Sequence, residues 1–265
     1  MVRAALSMGQ KFLPSANRPN RRLTLDAEYP VTRRNRLRRR YERGHYDHAT
    51  AHAILDAAMV CHIAYTIDGQ PFCTPTSFWR EGERLYWHGS SASRMIRAQA
   101  NGLPVCLTVT HHDALVLARS GFHHSVNYRC VMAYGQARAM TDPAAKLRAA
   151  NAFIDRFYPG RSSVLRPVTD LEMKSINIIE MEIEDAVAKI RCTGVSDEEE
   201  DYAVPVWCAV LPLRTVLGEP EECPRQVPGV TPEAGGLGSY LPSRHFDEVM
   251  LETYARSYPG SVKRR

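Results

Sequence analysis

The sequence has no apolar run long enough to cross a membrane as a helix. Its longest stretch without Asp, Glu, Lys or Arg is Ala98–His112, 15 residues that include Asn101, Gly102 and Pro104. A bilayer-spanning helix needs roughly 20 predominantly apolar residues. No apolar segment follows the first arginines, so no secretory leader is expected. The seven cysteines (61, 73, 106, 130, 192, 208 and 223) contain no C-x-x-C pair, which argues against a zinc knuckle and against a disulfide framework. Several sit in apolar runs such as Val105-Cys106-Leu107, and all are expected as reduced, buried thiols of a cytoplasmic protein. A G-x-G-x-x-G turn, a Walker loop and a G-x-S-x-G elbow are also missing. Dinucleotide-fold, nucleotidase and serine-hydrolase readings therefore have no support.

What is present is ordinary globular composition: 265 residues, 44% hydrophobic and 24% charged. That is about one and a half to two typical domains, enough for a core without covalent staples. The formal charge of +5 is unevenly spread. Residues 1–43 carry 12 basic and 3 acidic side chains, whereas the rest of the chain carries 22 and 26. The basic character belongs to an N-terminal arm, expected as a solvated tail or a contact with a partner subunit; nucleic acid is not the expected partner.

Periodicity then gives a helix over Asp47–Ala58, with Asp47 as cap and Ala51, Ile54, Leu55 and Ala58 on one face. Strands follow at Val60–Thr66, Pro71–Trp79 and Leu85–His88, separated by the Asp68-Gly69 and Glu81-Gly82-Glu83 turns. A short helix spans Ser93–Asn101 and stops at Gly102. Further strands are expected at Val105–Thr110, Ala114–Ala118 and Ser125–Met140. Asp142-Pro143 opens a helix to Tyr158, with Leu147, Ala150, Phe153, Ile154 and Phe157 on its buried face. Asp170–Ser175 reads as a helix, Ile178–Ile183 and Ala186–Arg191 as strands, and Pro205–Leu213 as an apolar run around Trp207. Residues 218–239 hold nine Gly or Pro and read as a connector to a last helix capped by Ser243 and ending at Tyr258. Many short strands with few helices predict a mainly β, antiparallel barrel or sandwich with flanking helices. The expected division is an arm over 1–43, a β domain over 44–215, and a connector with helix over 216–265.

Three stretches carry chemistry. In Leu85–Arg94, a strand ends at His88-Gly89 and a helix begins after Ser90, Ser91 and Ser93. Hydroxyls, backbone N–H groups and the Arg94 guanidinium converge there, as a phosphate requires, with Gly89 admitting close approach and His88 adding a donor. Simple helix capping is the competing explanation for the serines. In Phe72–Trp79, Pro75 interrupts the ladder beside Thr76 and Ser77, and backbone groups exposed at such an edge can read a planar heterocycle. In His123–Arg129, the polar strand start Asn127-Tyr128-Arg129 can hold a ring or a phosphate. His48 and His52, four residues apart on a helix, could ligate a metal, but no Glu follows His48 and no third ligand is evident; they are expected as a solvent-facing pair, and no metal site is expected. His111-His112 and His123-His124 each offer one ligand per strand face.

The order of Arg38–Asp47, Asp68–Pro71 with Pro75-Thr76-Ser77, His88–Arg94, Ser125–Arg129, Tyr158–Arg161, Ala188–Arg191, Pro205-Val206-Trp207 and Leu211-Pro212-Leu213 resembles the pyridoxamine 5′-phosphate oxidase-related flavoproteins, in the branch that contains nitroimidazole reductases. The resemblance covers roughly residues 35–215. It implies an antiparallel split β-barrel that forms a homodimer and binds FMN at the subunit interface. The phosphate would lie on the turn of His88, Gly89, Ser90, Ser91, Ser93 and Arg94. The isoalloxazine would run beside Pro75, Thr76 and Ser77, and Asn127, Tyr128 and Arg129 would approach it, from the partner subunit in one arrangement. The basic residues with which true pyridoxamine phosphate oxidases hold their substrate have no counterpart. The expected function is an FMN-dependent oxidoreductase that takes electrons from NAD(P)H and reduces a small electrophile such as a nitro-aromatic or quinone. The alternative is a flavin- or haem-binding module without turnover, a sensor or carrier. No catalytic side chain is singled out.

Overall fold

The structure is a computed structural model that describes residues 27–232 and 236–259. Nine strands form one antiparallel sheet: β1 (Gly44–His45), β2 (Val60–Ile67), β3 (Gln70–Glu81), β4 (Arg84–Ser90), β5 (Asn101–Leu117), β6 (Ser125–Ala139), β7 (Ile176–Glu182), β8 (Asp185–Arg191) and β9 (Ala209–Pro212). The five α-helices among the described residues are α1 (His48–Asp56), α2 (Arg94–Gln99), α3 (Pro143–Phe157), α4 (Asp170–Ser175) and α5 (Phe246–Ser257).

Strand order β4-β3-β2-β5, with β6 paired to β5 and β7 bridging β6 and β4, closes a ring. Two of its strands then divide their edges. β6 pairs β7 through Ala137–Ala139 and β8 through Tyr128–Tyr134. β5 pairs β2 through Cys106–Thr108 and β9 through Ala114–Leu117. This is the split barrel the sequence resemblance implied. Local chemistry builds it as expected. Asp68 and Gly69 both take positive φ, 50° and 79°, the tight hairpin turn that suits the sheet's twist. Asp47 Oδ1 accepts from Thr50 N at 2.8 Å to start α1, and Asp142 accepts from Ala144 N and Ala145 N at 3.1 Å to start α3.

The barrel interior is apolar. Ile63, Leu85, Trp87, Leu107, Val131 and Met181 are fully buried there, with Ile54 and Leu55 of α1 closing one end. Outside the ring, Trp79, Tyr86 and Ile178 pack under α3. Gly135 of β6 sits where a β-carbon would lie 2.2 Å from Glu182 O and 2.7 Å from Met181 Cγ. Gly135→Ala is therefore expected to force β6 and β7 apart. Overpacking of this kind costs about 1–3 kcal/mol, read as a lowered denaturation midpoint with unchanged slope; an unshifted midpoint would show that the strands yield freely.

Five expectations change. Residues 27–43 of the basic arm lie on this chain's own body: Tyr29 is buried, and Arg34 donates from Nε to Asp185 Oδ2 at 2.7 Å and from Nη2 to Glu184 Oε2 at 2.6 Å. Opposite charge on the β7–β8 turn holds what local composition presented as a solvated tail; residues 1–26 of the arm lie outside the described residues. The two strands expected over 105–118 are one, β5, with a register shift between His112 and Ala114. That shift releases Asp113 to accept both Nε and Nη2 of Arg129 at 2.8–3.1 Å. On α3, Leu147 is 40% exposed, and the buried residues are Ala149, Arg156 and Phe157. The cap of α5 is His245, not Ser243, which itself takes a φ of 64°. Of the cysteines, only Cys61 is fully buried; Cys73, Cys192 and Cys223 are exposed, because strand alternation and loops turn them outward.

Candidate functional site

β4 aligns with β3 only along Phe78–Glu81. On that side, residues 70–77 of β3 have no neighbouring strand among the described residues, while their other side is paired with β2 from Val60 to Ile67. Pro75 is exposed, and Thr76 and Ser77 are half-buried along this edge. The turn from β4 into α2 lies next to it: the Arg94 guanidinium stands 4.3 Å over the ring of Phe72. Two stretches named from sequence thus share one place.

The turn's hydrogen bonds distinguish capping from ligand binding. Ser93 N donates to Ser90 O and Ser91 N to Ser175 O, each at 2.9 Å. Ser90 Oγ accepts from Ala92 N at 3.3 Å. Ser93 occupies the cap position of α2, yet its side chain makes no capping bond. Arg94 is exposed and has no carboxylate partner among the described residues. Gly89 serves packing: a β-carbon there would meet Ile96 Cγ1 at 3.0 Å, so the missing side chain seats α2 on β4.

His88 points away from the barrel. On β4, Leu85 and Trp87 face the interior, whereas Tyr86 and His88 face α3. The imidazole lines a cavity of about 570 Å³ formed with Trp79, Leu147, Phe153, Ile154, Leu165, Val168, Ile178 and the loop residue Arg166. Its ring meets Phe153 edge-on at 4.7 Å and has no hydrogen-bond partner among the described residues. Burial pushes its pKa down, which favours the neutral ring. The α3 residues expected to be core, Leu147 to Ile154, are the wall of this cavity.

Asn127, Tyr128 and Arg129 lie elsewhere, on β6 between β5 and β8. Asn127 is buried; its Oδ1 accepts from Arg191 Nη1 at 2.5 Å and its Nδ2 donates to Thr193 O at 2.9 Å. Arg129 is held by Asp113 at 2.8 Å and by Asp247 of α5 at 3.3 Å. Tyr128 lies under Lys189, 5.9 Å from Nζ to ring centroid. Within one chain, these three do not join the 88–94 turn.

His48 and His52 are not a solvent-facing pair. Tyr29 stacks on His48 with centroids 3.9 Å apart, and Glu83 reaches both rings. The Glu83 carboxyl is held down to about 2: burial alone raises it, but hydrogen bonds from His52 and Tyr29 and the electrostatic influence of the two neighbouring imidazoles outweigh that. The third partner was hidden from sequence reasoning because it lies 31 residues beyond His52, in the β3–β4 turn.

No helix among the described residues is long and apolar enough to cross a membrane. The family model of pyridoxamine 5′-phosphate oxidase matches residues 47–190, more than half of the chain. No curated protein matches the chain. Among solved structures, the flavocytochrome Anf3 from Azotobacter vinelandii is 40% identical over 77% of this chain and 95% of its own, with a TM-score of 0.72. The FAD and haem binding protein from Mycobacterium smegmatis is 30% identical over 77% of this chain and 98% of its own, with a TM-score of 0.70. With its split antiparallel barrel and these matches, the chain belongs to the pyridoxamine 5′-phosphate oxidase family.

Proposed function

We propose that this chain is a flavin-dependent redox protein that also holds haem. The observation that supports the flavin most is the meeting of an open strand edge, residues 70–77, with a hydroxyl-rich turn whose arginine has no carboxylate partner. Backbone groups along Pro75–Ser77 suit the edge of a planar heterocycle. Ser91, Ser93 and Arg94 suit a phosphate, with Arg94 offering the planar two-donor fork. The sequence resemblance implied FMN; we assign FAD instead, on the name of the 30%-identical relative, and the phosphate contact serves either.

The donor set fits haem at a separate place. A largely apolar cavity, lined also by Asn151, Ser162, Ser163 and Arg166, holds the unpartnered imidazole of His88, whose neutral form burial favours and which would hold a porphyrin iron. When bound, the flavin supplies hydride and electron chemistry and the haem one-electron chemistry. The chain's own residues bind and orient: α3 and the 162–168 loop wall in His88, and no side chain acts as nucleophile. The electron donor is NAD(P)H, and the acceptor is a small electrophile such as a nitro-aromatic or quinone. Reduction of the bound flavin by NAD(P)H, with reoxidation by such an acceptor, separates turnover from a carrier role.

The working unit is a homodimer. Val204, Val206, Trp207, Leu211 and Leu213 are exposed around β9, the last strand of the sheet.

Arg94→Ala tests the site. A hydrogen bond to a charged group contributes about 1.5–3 kcal/mol, so flavin nucleotide binding is expected to weaken roughly ten- to a hundredfold. Riboflavin, which has no phosphate, should weaken far less, and Arg94→Lys should recover part of the loss. Equal losses for nucleotide and riboflavin in a folded protein remove Arg94 from the phosphate site.

A further inference from the structure

His48 and His52 stand one turn apart on α1, so their rings share a face. Gly82, at a φ of 58°, turns the chain between β3 and β4 and brings Glu83 to that face. Glu83 Oε1 lies 3.0 Å from His48 Nδ1 and 3.3 Å from His52 Nε2. All three potential ligand atoms fall within 4.8 Å of one another. A zinc-type ion bound at about 2.0–2.1 Å by nitrogen and oxygen in a tetrahedron spaces its ligand atoms about 3.3 Å apart. The Tyr29 hydroxyl donates to the second carboxylate oxygen, Oε2, at 2.7 Å and lies 2.9 Å from His52 Nε2, and the Tyr29 ring stacks on His48 with an interplanar angle of 17°. Tyr29 thus fixes both a carboxylate and an imidazole, as the outer partners of metal ligands do.

We propose that His48, His52 and Glu83 form a binding site for one divalent transition-metal ion of the zinc type, with Tyr29 as a positioning residue. Two imidazoles and one carboxylate suit zinc over magnesium or calcium, which take oxygen ligands. The three side chains are partly exposed, at 25%, 17% and 41%, so solvent can fill the remaining position. Ala49 follows His48 where a zinc peptidase has its glutamate, so the site lacks that general base. The ion clasps the arm at Tyr29, helix α1 and the β3–β4 turn into one unit.

The test uses the full chain, stripped with a chelator and titrated with Zn²⁺. One equivalent per chain is expected, with a denaturation midpoint that rises with Zn²⁺ concentration by mass action. A His48→Gln/His52→Gln double variant should bind at least a hundredfold more weakly, and Tyr29→Phe about 10- to 100-fold more weakly. Zinc-edge X-ray absorption on the unaltered chain should show two imidazoles and oxygen, and it decides the matter if the double variant does not fold. Absence of binding at millimolar Zn²⁺, undiminished binding in the folded double variant, or a sulfur-containing shell each overturns the site. The first outcome leaves the cluster as a hydrogen-bond network; the others place zinc on surface histidines or cysteines.

Discussion

Arg80→Ala should destabilise the fold by about 3–5 kcal/mol, the usual cost of leaving one member of a buried ion pair alone. Arg80 and Asp56 are 5% and 6% exposed. The guanidinium meets the carboxylate through two bonds, Nε to Oδ1 at 2.9 Å and Nη2 to Oδ2 at 2.5 Å. Nη1 also donates to Gly82 O, and Nη2 donates to the Tyr254 hydroxyl, each at 2.5 Å. One side chain therefore joins α1, β3, the β3–β4 turn and α5. Arg156 of α3 completes the knot, donating from Nη2 to Asp56 O at 2.6 Å and from Nη1 to Thr253 Oγ1 at 3.1 Å. With Arg80 truncated, the Asp56 carboxylate loses its charged partner and α5 loses an anchor. Denaturant unfolding, monitored by circular dichroism, measures the loss. Replacing both partners by apolar residues, Asp56→Leu with Arg80→Met, should cost less than the two single changes together, because no buried charge is left unpaired. A cost below about 1 kcal/mol for Arg80→Ala would mean that water enters and solvates Asp56.

Features governed by a few adjacent residues were legible in the sequence. The Asp68-Gly69 turn, the Asp47 and Asp142 caps and the strand pattern on both sides of them all follow from local backbone chemistry. The meeting of Phe72 with Arg94 was legible only as two separate stretches, each with a polar purpose. The rest depends on contacts between distant segments. Helical periodicity marked Leu147, Ala150, Phe153 and Ile154 as one apolar stripe, which they are, but periodicity does not say whether a stripe meets core or cavity. The charge count of the arm gave no sign that Arg34 faces Asp185, 151 residues away. His48 and His52 announced two ligands; Glu83 and Tyr29 come from other elements. Asn127 and Arg129 have the composition of a ligand site, yet within one chain their polar atoms are taken by Arg191, Thr193, Asp113 and Asp247. Residue type alone cannot tell an engaged guanidinium from one without a carboxylate, and that difference separates Arg129 from Arg94.

On the proposed assignment of haem to the His88 cavity, His88→Ala should abolish haem retention while leaving flavin in place. The imidazole is half-buried against Phe153 and faces a largely apolar cavity of about 570 Å³. Burial favours its neutral form, and the neutral ring is the one with a nitrogen lone pair for iron. Loss of even an outer-shell partner typically costs 10- to 100-fold in metal affinity, so removal of the ligand itself should cost more than about a hundredfold. Haem is read by absorbance of the reconstituted protein, and flavin by mass after release. Added imidazole, small enough to enter the space left by the side chain, should restore part of the haem signal. Arg94→Ala should give the opposite pattern, with flavin lost and haem kept, because its guanidinium lies on the Phe72 side of the β4–α2 turn. A folded His88→Ala protein with unaltered haem content and spectrum would remove His88 as the ligand. Joint loss of both groups in either variant would instead join the two sites through the β4–α2 turn, since His88 and Arg94 flank it. The two variants together test whether that turn presents separate sites to haem and flavin.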